Sequence, residues 1–497
     1  MAGIKSLAKD TAVYGLSSIV GRFLNWCLVP LYTNVFDKAE YGVVTFVYAV
    51  VALALIILTY GMETGFFRFA NHDRWKDPME VYSTSLISLA TTSTLFVLAV
   101  CLLINPVSEW MKCADHPSFV LIMAVCVAID AFLALPYSYL RFRHRPVRFA
   151  TLRLVNIAVN ISLNIFFILL CPWLMKAAPA TVSWFYDPDF GIGYIFLANL
   201  IASVVNLVMM IPELHGFRWR FNNELLRRML VYSAPLLVLG IAGIMNQTLG
   251  TLLYPSLVSD KAQAMSGLGI YGANYKIAIV MVMFIQAFRF AYEPFIFSQA
   301  KERGESKNAA YADAMKYFVL FALLLFMGVM FYLDILKYFI SPEYFSGLKI
   351  VPVIMLAELF FGIFFNLSLW YKLTDRTIWG AWFSLIGLGV TVILNIILVP
   401  VCDYMGCALA SLGCYGVMMV ASYLIGQRKY PIKYQIGRIF AYFAIAALLY
   451  FVGMYCLPDN RTVRYILRFF ILSMFVAFVI RREDISIKNT IRAITRR

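Results

Sequence analysis

The stretch 268–297, LGIYGANYKIAIVMVMFIQAFRFAYEPFIF, is long and apolar enough to cross a bilayer, yet it carries Asn274, Lys276, Gln286, Arg289 and Glu293. An ionisable group at membrane depth costs about 2.5 to 17 kcal/mol unless it faces a polar cavity or a partner. Gln286, Arg289 and Glu293 fall at i, i+3 and i+7, on one helical face that Tyr275, Ala278 and Val282 continue, so this helix is expected to line something wet. Lys276 lies about 220° around the helix from Arg289, near the end where it could snorkel instead. Arg22 stands in the middle of another apolar stretch, with Gly15, Ser18 and Asn25 on its face. Its fork of donors suits a phosphate; an internal ion pair, for instance with Asp130, is the other reading.

Further charges sit at the ends and middles of apolar stretches. Glu63 and Arg68 in GMETGFFRF, and Arg289 with Glu293 in AFRFAYEPF, are candidates for gating pairs at an inner mouth that includes Gln286; plain interfacial charges are the alternative. Asp130 and Glu358 are candidate proton or cation sites, or else structural partners for Arg22 or Arg153. Asn156, Asn160 and Asn164, at i, i+4 and i+8, form a ladder suited to inter-helix hydrogen bonds or to a polar lumen. Enzyme signals are poor. His72, His116, His144 and His215 are scattered through loops, so no metal cluster or catalytic constellation is predicted. Asp187-Pro188-Asp189 resembles the acidic motif of nucleotide-sugar transferases but falls in a loop expected outside. No nucleotide-binding loop appears, and no cofactor is expected beyond a coupling H+ or Na+.

The elements that position these groups follow from composition. Of 497 residues 62% are hydrophobic and 14% charged, against about 45–50% and about 25% in a soluble domain. The pattern predicts an all-α polytopic membrane protein with about fourteen spans: 11–33, 41–61, 83–104, 118–140, 151–171, 191–212, 231–254, 269–293, 314–334, 350–371, 380–400, 404–426, 439–457 and 463–480. About 29 of the 42 Lys and Arg fall in the N-terminus, the even-numbered loops and the tail, which predicts cytoplasmic termini. The net charge of +15 is thus topology and affinity for anionic lipid, with no nucleic acid implied. The nine cysteines read as buried free thiols. In the tail, Ile487, Ile491 and Ile494 among basic residues suggest a short surface helix or a frayed end.

An internal repeat sets the architecture. Tyr41-Gly42 matches Tyr271-Gly272 at an offset of 230, which also lands Glu63 on Glu293; Leu163-Asn164-Ile165 matches Leu394-Asn395-Ile396 at 231, which sets Arg141 on Lys372. Asp37-Lys38-Ala39 corresponds to Asp260-Lys261-Ala262. These matches predict two pseudo-symmetric six-helix lobes, 1–215 and 216–430, an extra helix pair within 431–480, and a basic cytoplasmic tail, 481–497. Parallel repeats of this kind place a site between bundles that can rock.

The segments KDTAVYGLSSIVGRFLNWCLVPLYTNVFDKAEYGVV, GMETGFFRF and AFRFAYEPFIF resemble bacterial polysaccharide-biosynthesis membrane proteins, the Wzx-type oligosaccharide flippases of the multidrug/oligosaccharidyl-lipid/polysaccharide exporter superfamily. The resemblance implies a two-lobed transporter of the bacterial inner membrane that works by alternating access. Its implied cargo is a polyprenyl-pyrophosphate-linked glycan moved to the periplasmic leaflet for O-antigen, capsule or exopolysaccharide, with polysaccharide polymerase machinery as a partner. The family's cationic lumen maps onto Arg22 and, beyond it, Lys276 and Arg289. The rival readings are a flippase of the peptidoglycan lipid precursor, a cation-coupled small-molecule exporter, and a membrane glycan polymerase or ligase. The last should carry a large outer loop rich in Arg and His, whereas 172–190 holds Lys176 and neither of those.

Overall fold

The computed structural model describes residues 2–71, 77–214, 220–299, 305–374 and 376–483, with the side chains of 2–12, 291, 293–299 and 305–307 outside the described set. The tail positions Ile487, Ile491 and Ile494 also lie outside the described residues. The long helices are α1 (Ala2–Trp26), α2 (Lys38–Thr59), α3 (Pro78–Leu102), α4 (Pro117–Phe142), α5 (Pro146–Ile165), α6 (Gly193–Met210), α7 (Asn223–Leu257), α8 (Ala264–Gln299), α9 (Glu305–Phe331), α10 (Val351–Leu367), α11 (Ile378–Cys402), α12 (Tyr404–Lys429), α13 (Ile436–Tyr455) and α14 (Arg461–Arg482). Among the described residues, thirteen helical segments are long and apolar enough to span a bilayer. With α1 and its continuation Val29–Val35, this is the expected polytopic all-helical protein of about fourteen helices.

Local chemistry sets the helix limits. Asp37 and Glu40 close a reciprocal capping box on α2, and Asp260 accepts from the amides of Ala262 and Gln263 at the head of α8. Asp37 thus caps its helix directly, whereas Asp260 holds the turn that leads into α8. Proline at the first turn starts α3, α4 and α5, where its missing N–H costs nothing. Tyr60 and Gly61 adopt left-handed conformations, which kink the second span between α2 and the short helix Met62–Ala70. A π-helical turn over Phe166–Leu170 continues α5 towards Cys171–Ala177. The helices α7 and α8 run 35 and 36 residues, about 53 Å at 1.5 Å per residue, so both extend well beyond the spans expected from hydropathy.

The helices α1 to α6 pack largely on one another, and so do α8 to α12; α7 touches both groups. The principal seam between them is α2 against α8. There the backbones approach so closely that a Cβ on Gly42 would lie 1.9 Å from the Met265 carbonyl oxygen, and one on Gly269 the same distance from that of Lys38. Around this end, Tyr344 places its hydroxyl 3.0 Å from the carbonyls of Phe36 and Asp37, and Asn274 donates to the Tyr344 carbonyl at 2.8 Å. At the far end, Phe290 packs on Gly15 and Ser233 on Gly61, so the groups touch there too.

The extra pair α13–α14 packs on α9. Buried Arg468 donates to the carbonyls of Gly453 and Phe331 and pairs with Asp334 at 3.1 Å. Towards the other end of α14, buried Lys316 pairs with Glu483, which also accepts from the Tyr442 hydroxyl. The perimeter exposes Leu102, Ile393, Val401 and Phe440, apolar groups that suit contact with lipid.

Candidate functional site

Two adjoining cavities lie where α1 faces α8. The first, about 280 Å³, is lined by Arg22, Asn25, Trp26, Lys276, Met283 and Gln286 among others. The second, about 370 Å³, shares Asn25, Val29 and Lys276 and extends into the first helix group. Trp26 fixes the geometry: its indole N–H donates to the Lys276 carbonyl at 2.7 Å, and its ring stacks on Phe339 at 4.0 Å. Among the described residues no carboxylate lines either cavity. Among the described residues neither Arg22 nor Lys276 has an ion-pair partner, and Arg289 acts on Arg22 as a like charge. A guanidinium and an ammonium at the wall of one space can attract an anion.

The structure thus places Arg22, Asn25, Lys276 and Gln286 together. Several expectations are corrected. Gln286 lines the cavity with Arg22 and Lys276. The wet face of α8 is the stripe Lys276, Ile279, Met283 and Gln286, spaced i, i+3, i+7 and i+10. Val282 reaches the cavity, but Ala278 is fully buried and Tyr275 turns towards α10. Lys276 lines both cavities. Arg289 lies over the Phe365 ring of α10 at 4.7 Å.

Glu63 pairs with Arg141 of α4 at 2.7 Å and accepts from Ser138 at 3.1 Å; it does not pair with Arg68. Arg68 instead lies over the Tyr232 ring of α7 at 4.1 Å. The reason is angular: residues five apart point about 140° away from each other around a helix. The Glu293 side chain lies outside the described residues.

Asp130 accepts from Ser203 of α6 at 2.8 Å and does not meet Arg22. Glu358, buried in α10, accepts from the Tyr275 hydroxyl at 3.2 Å. The asparagine ladder splits: Asn156 donates to the Ala202 carbonyl, Asn164 accepts from Tyr32 and donates to Asn160, and Asn160 lines the second cavity. Asn164 and its repeat equivalent Asn395 make the same bond, each donating to the carbonyl four residues earlier. Among the described residues no group of His, Cys, Asp or Glu is placed to hold a metal ion. Sequence reasoning missed Trp26, Tyr41, Tyr48 and Asn199 as cavity residues; the polar tips of Tyr48 and Asn199 inside apolar spans were the available signal.

A polytopic helical bundle with a cationic cavity between two helix groups is a transporter-type architecture. The chain belongs to the polysaccharide biosynthesis protein family, whose family model matches residues 7–299. No curated protein sequence matches it. Among solved structures, it resembles the lipid II flippase MurJ in an inward closed conformation, with TM-score 0.70 and 16% identity, covering 95% of this chain and 99% of that one. It also resembles an inward-facing multidrug resistance MATE family transporter of the MOP superfamily (TM-score 0.64, 12% identity, 87% and 98% covered). A point mutant of the Vibrio cholerae MATE transporter VcmN gives TM-score 0.54 at 14% identity, with 86% and 98% covered. At these identities the likeness is one of fold.

Proposed function

We propose that the chain is a transporter that flips a polyprenyl-pyrophosphate-linked oligosaccharide from the cytoplasmic to the periplasmic leaflet for surface polysaccharide synthesis. The observation that carries this reading is the pair of cations, Arg22 and Lys276, on facing helices of the two groups around a cavity that, among the described residues, has no carboxylate and pairs neither cation. A pyrophosphate carries several negative charges, and bare hydrocarbon excludes it. In a partly dehydrated cavity the two cations attract it far more strongly than they would in water, while the prenyl chain remains in lipid. Arg22 offers the bidentate fork and Lys276 a point charge. The basic end of the bundle faces the cytoplasm and the Asp37 end the periplasm, in line with the charge distribution. Rocking of lobes 1–215 and 216–430 then exposes the cavity to each side in turn, with 431–480 carried along by α9. Asp130 and Glu358, one in each lobe, are the carboxylates through which H+ or Na+ would couple to that motion.

The test is translocation of a labelled prenyl-pyrophosphate glycan in proteoliposomes. Each charged hydrogen bond contributes about 1.5–3 kcal/mol, so Arg22→Ala and Lys276→Ala should each slow flipping about 10- to 100-fold. Arg22→Lys should recover part of the rate. Full activity in both alanine variants sinks the reading. Running the same assay with the lipid-linked peptidoglycan precursor separates the rival cargo, whose pyrophosphate chemistry is shared.

A further inference from the structure

The second cavity differs from the first in its chemistry. Beyond Lys276 at its edge, the described polar lining is neutral: Asn25, Tyr32, Tyr41, Thr45, Tyr48, Asn160 and Asn199, from α1, the short helix Val29–Val35, α2, α5 and α6. These side chains are only partly satisfied. Asn199 spends its amide N–H groups on the Tyr48 hydroxyl at 2.5 Å and the Ile195 carbonyl at 2.9 Å, and its oxygen has no partner among the described residues. Asn160 accepts from Asn164 at 3.0 Å, while its own amide N–H groups find no acceptor among the described residues. Asn160 is 9% exposed and Tyr41 3%, yet the Tyr41 hydroxyl has no hydrogen-bond partner there either. Tyr48 accepts from Asn199 and keeps its own proton to give. Groups this buried are ordinarily paired. Their free donors and acceptors, interleaved with phenol rings, all turn into one space of about 370 Å³, within the range that encloses small ligands.

We infer that this chamber is a sugar subsite, which takes the uncharged pyranose ring joined to the pyrophosphate held by Arg22 and Lys276. The inference rests on the reading above for the anion but stands on different residues. Pyranose hydroxyls both donate and accept, which matches an amide oxygen, an amide N–H and two phenol hydroxyls better than any ion would. The lack of carboxylates among the described lining residues disfavours cationic amino sugars. A site built to hydrogen-bond hydroxyls also discriminates strongly against a ligand that lacks them. Lys276, common to both cavities, marks the junction where the phosphate ends and the ring begins.

Equilibrium binding to the full-length protein in lipid nanodiscs tests this with three probes: a short-chain prenyl pyrophosphate, the same lipid bearing one glucose, and the same lipid bearing one N-acetylglucosamine. At least one sugar-bearing probe should bind about tenfold or more tightly than the bare lipid. Asn199→Ala and Tyr48→Phe should each weaken that probe at least about fivefold, the loss expected of a buried hydrogen bond, and leave the bare lipid unchanged. Thermal unfolding matched to wild type guards against misfolding, and Tyr48→Phe removes only the hydroxyl. Equal affinity for all three probes overturns the subsite, as does an equal loss for bare and glycosylated lipid in the chamber variants. Arg22→Ala provides the separate check: if it leaves every probe unaffected, the pyrophosphate reading fails whatever the chamber variants do.

Discussion

Replacing Gly42 with alanine should open the Asp37 end of the bundle. The new Cβ would sit 1.9 Å from the Met265 carbonyl oxygen, whereas ordinary contact begins near 3.4 Å. The obstruction is main chain, which cannot rotate away, so α2 and α8 must part locally by the difference, about 1.5 Å. Overpacking of this kind costs about 1–3 kcal/mol, which moves the balance between closed and open seams about 5- to 150-fold. Gly269→Ala meets the Lys38 carbonyl at the same distance, and because both contacts belong to one seam the double variant should gain little over either single one. The reporter is Thr45→Cys, which packs in the seam where Gly272 leaves no room for a Cβ, in a background with the exposed Cys27, Cys101 and Cys456 replaced. In nanodiscs, where both faces are open to reagent, a hydrophilic maleimide should modify it at least about fivefold faster in Gly42→Ala than in the parent. Gly243→Ala and Gly328→Ala, whose added Cβ atoms meet nothing within 4 Å, should leave the rate unchanged. If Gly42→Ala is modified at the parental rate and unfolds at the parental temperature, the seam does not govern this end.

Two further predictions concern ion pairs. Lys316→Met leaves Glu483, 3% exposed, as a buried carboxylate without its ammonium, and should destabilise the α14 anchorage by about 3–5 kcal/mol; Lys316→Met with Glu483→Leu should recover most of that loss, read as thermal unfolding or as proteolysis near residue 483. Burial pushes the Glu483 carboxyl up, but hydrogen bonds from Lys316 and Tyr442 and the charges of Lys316 and Arg438 outweigh it and hold it below its usual value. A depressed folded value means the pair stabilises above the unfolded value of about 4.3 and is lost as pH falls through the folded one. Stability should therefore be flat above about pH 5 and decline below about pH 4, less steeply in the double variant. By contrast, Glu63 and Arg141 are 41% and 37% exposed. A double-mutant cycle on Glu63→Gln and Arg141→Ala should give a coupling of at most about 1 kcal/mol in thermal unfolding; a value several times larger would mark the pair as more than a screened interfacial bridge.

Legibility in the sequence tracked how local the responsible physics was. The spans, their caps and Arg22 were readable because hydropathy and the cost of a mid-span charge act within one helix. Of the two matched Asp-Lys-Ala turns, Asp37 caps its own helix while Asp260 bonds amides ahead of its helix. Partners were less legible. Arg68 was nearer to Glu63 in sequence than Arg141, but the chosen partner comes from α4 across a packed interface. On its own helix Lys276 stands apart from Arg289, whereas what matters is its position opposite Arg22 on another. The neutral chamber could not be read from any one helix, since its amides and phenols are shared among α1, the short helix Val29–Val35, α2, α5 and α6.

That distribution has a mechanical consequence. Arg22 belongs to the first helix group and Lys276 to the second, and the two are tied by the bond from the Trp26 indole to the Lys276 carbonyl. A rigid displacement of one group against the other that separates α1 from α8 stretches that bond and draws the cations apart. A dianionic ligand bridging both cations therefore binds best when α1 and α8 are close and loses one contact when they part. A ligand shifts a conformational equilibrium only by its difference in affinity between the states, and a site that straddles the seam supplies that difference directly. The neutral chamber, built almost wholly on the first group, does not change in the same way. A cargo held by both would remain with the first group while its pyrophosphate is released by the second, so the order of release is set by which residues lie on which side of the seam.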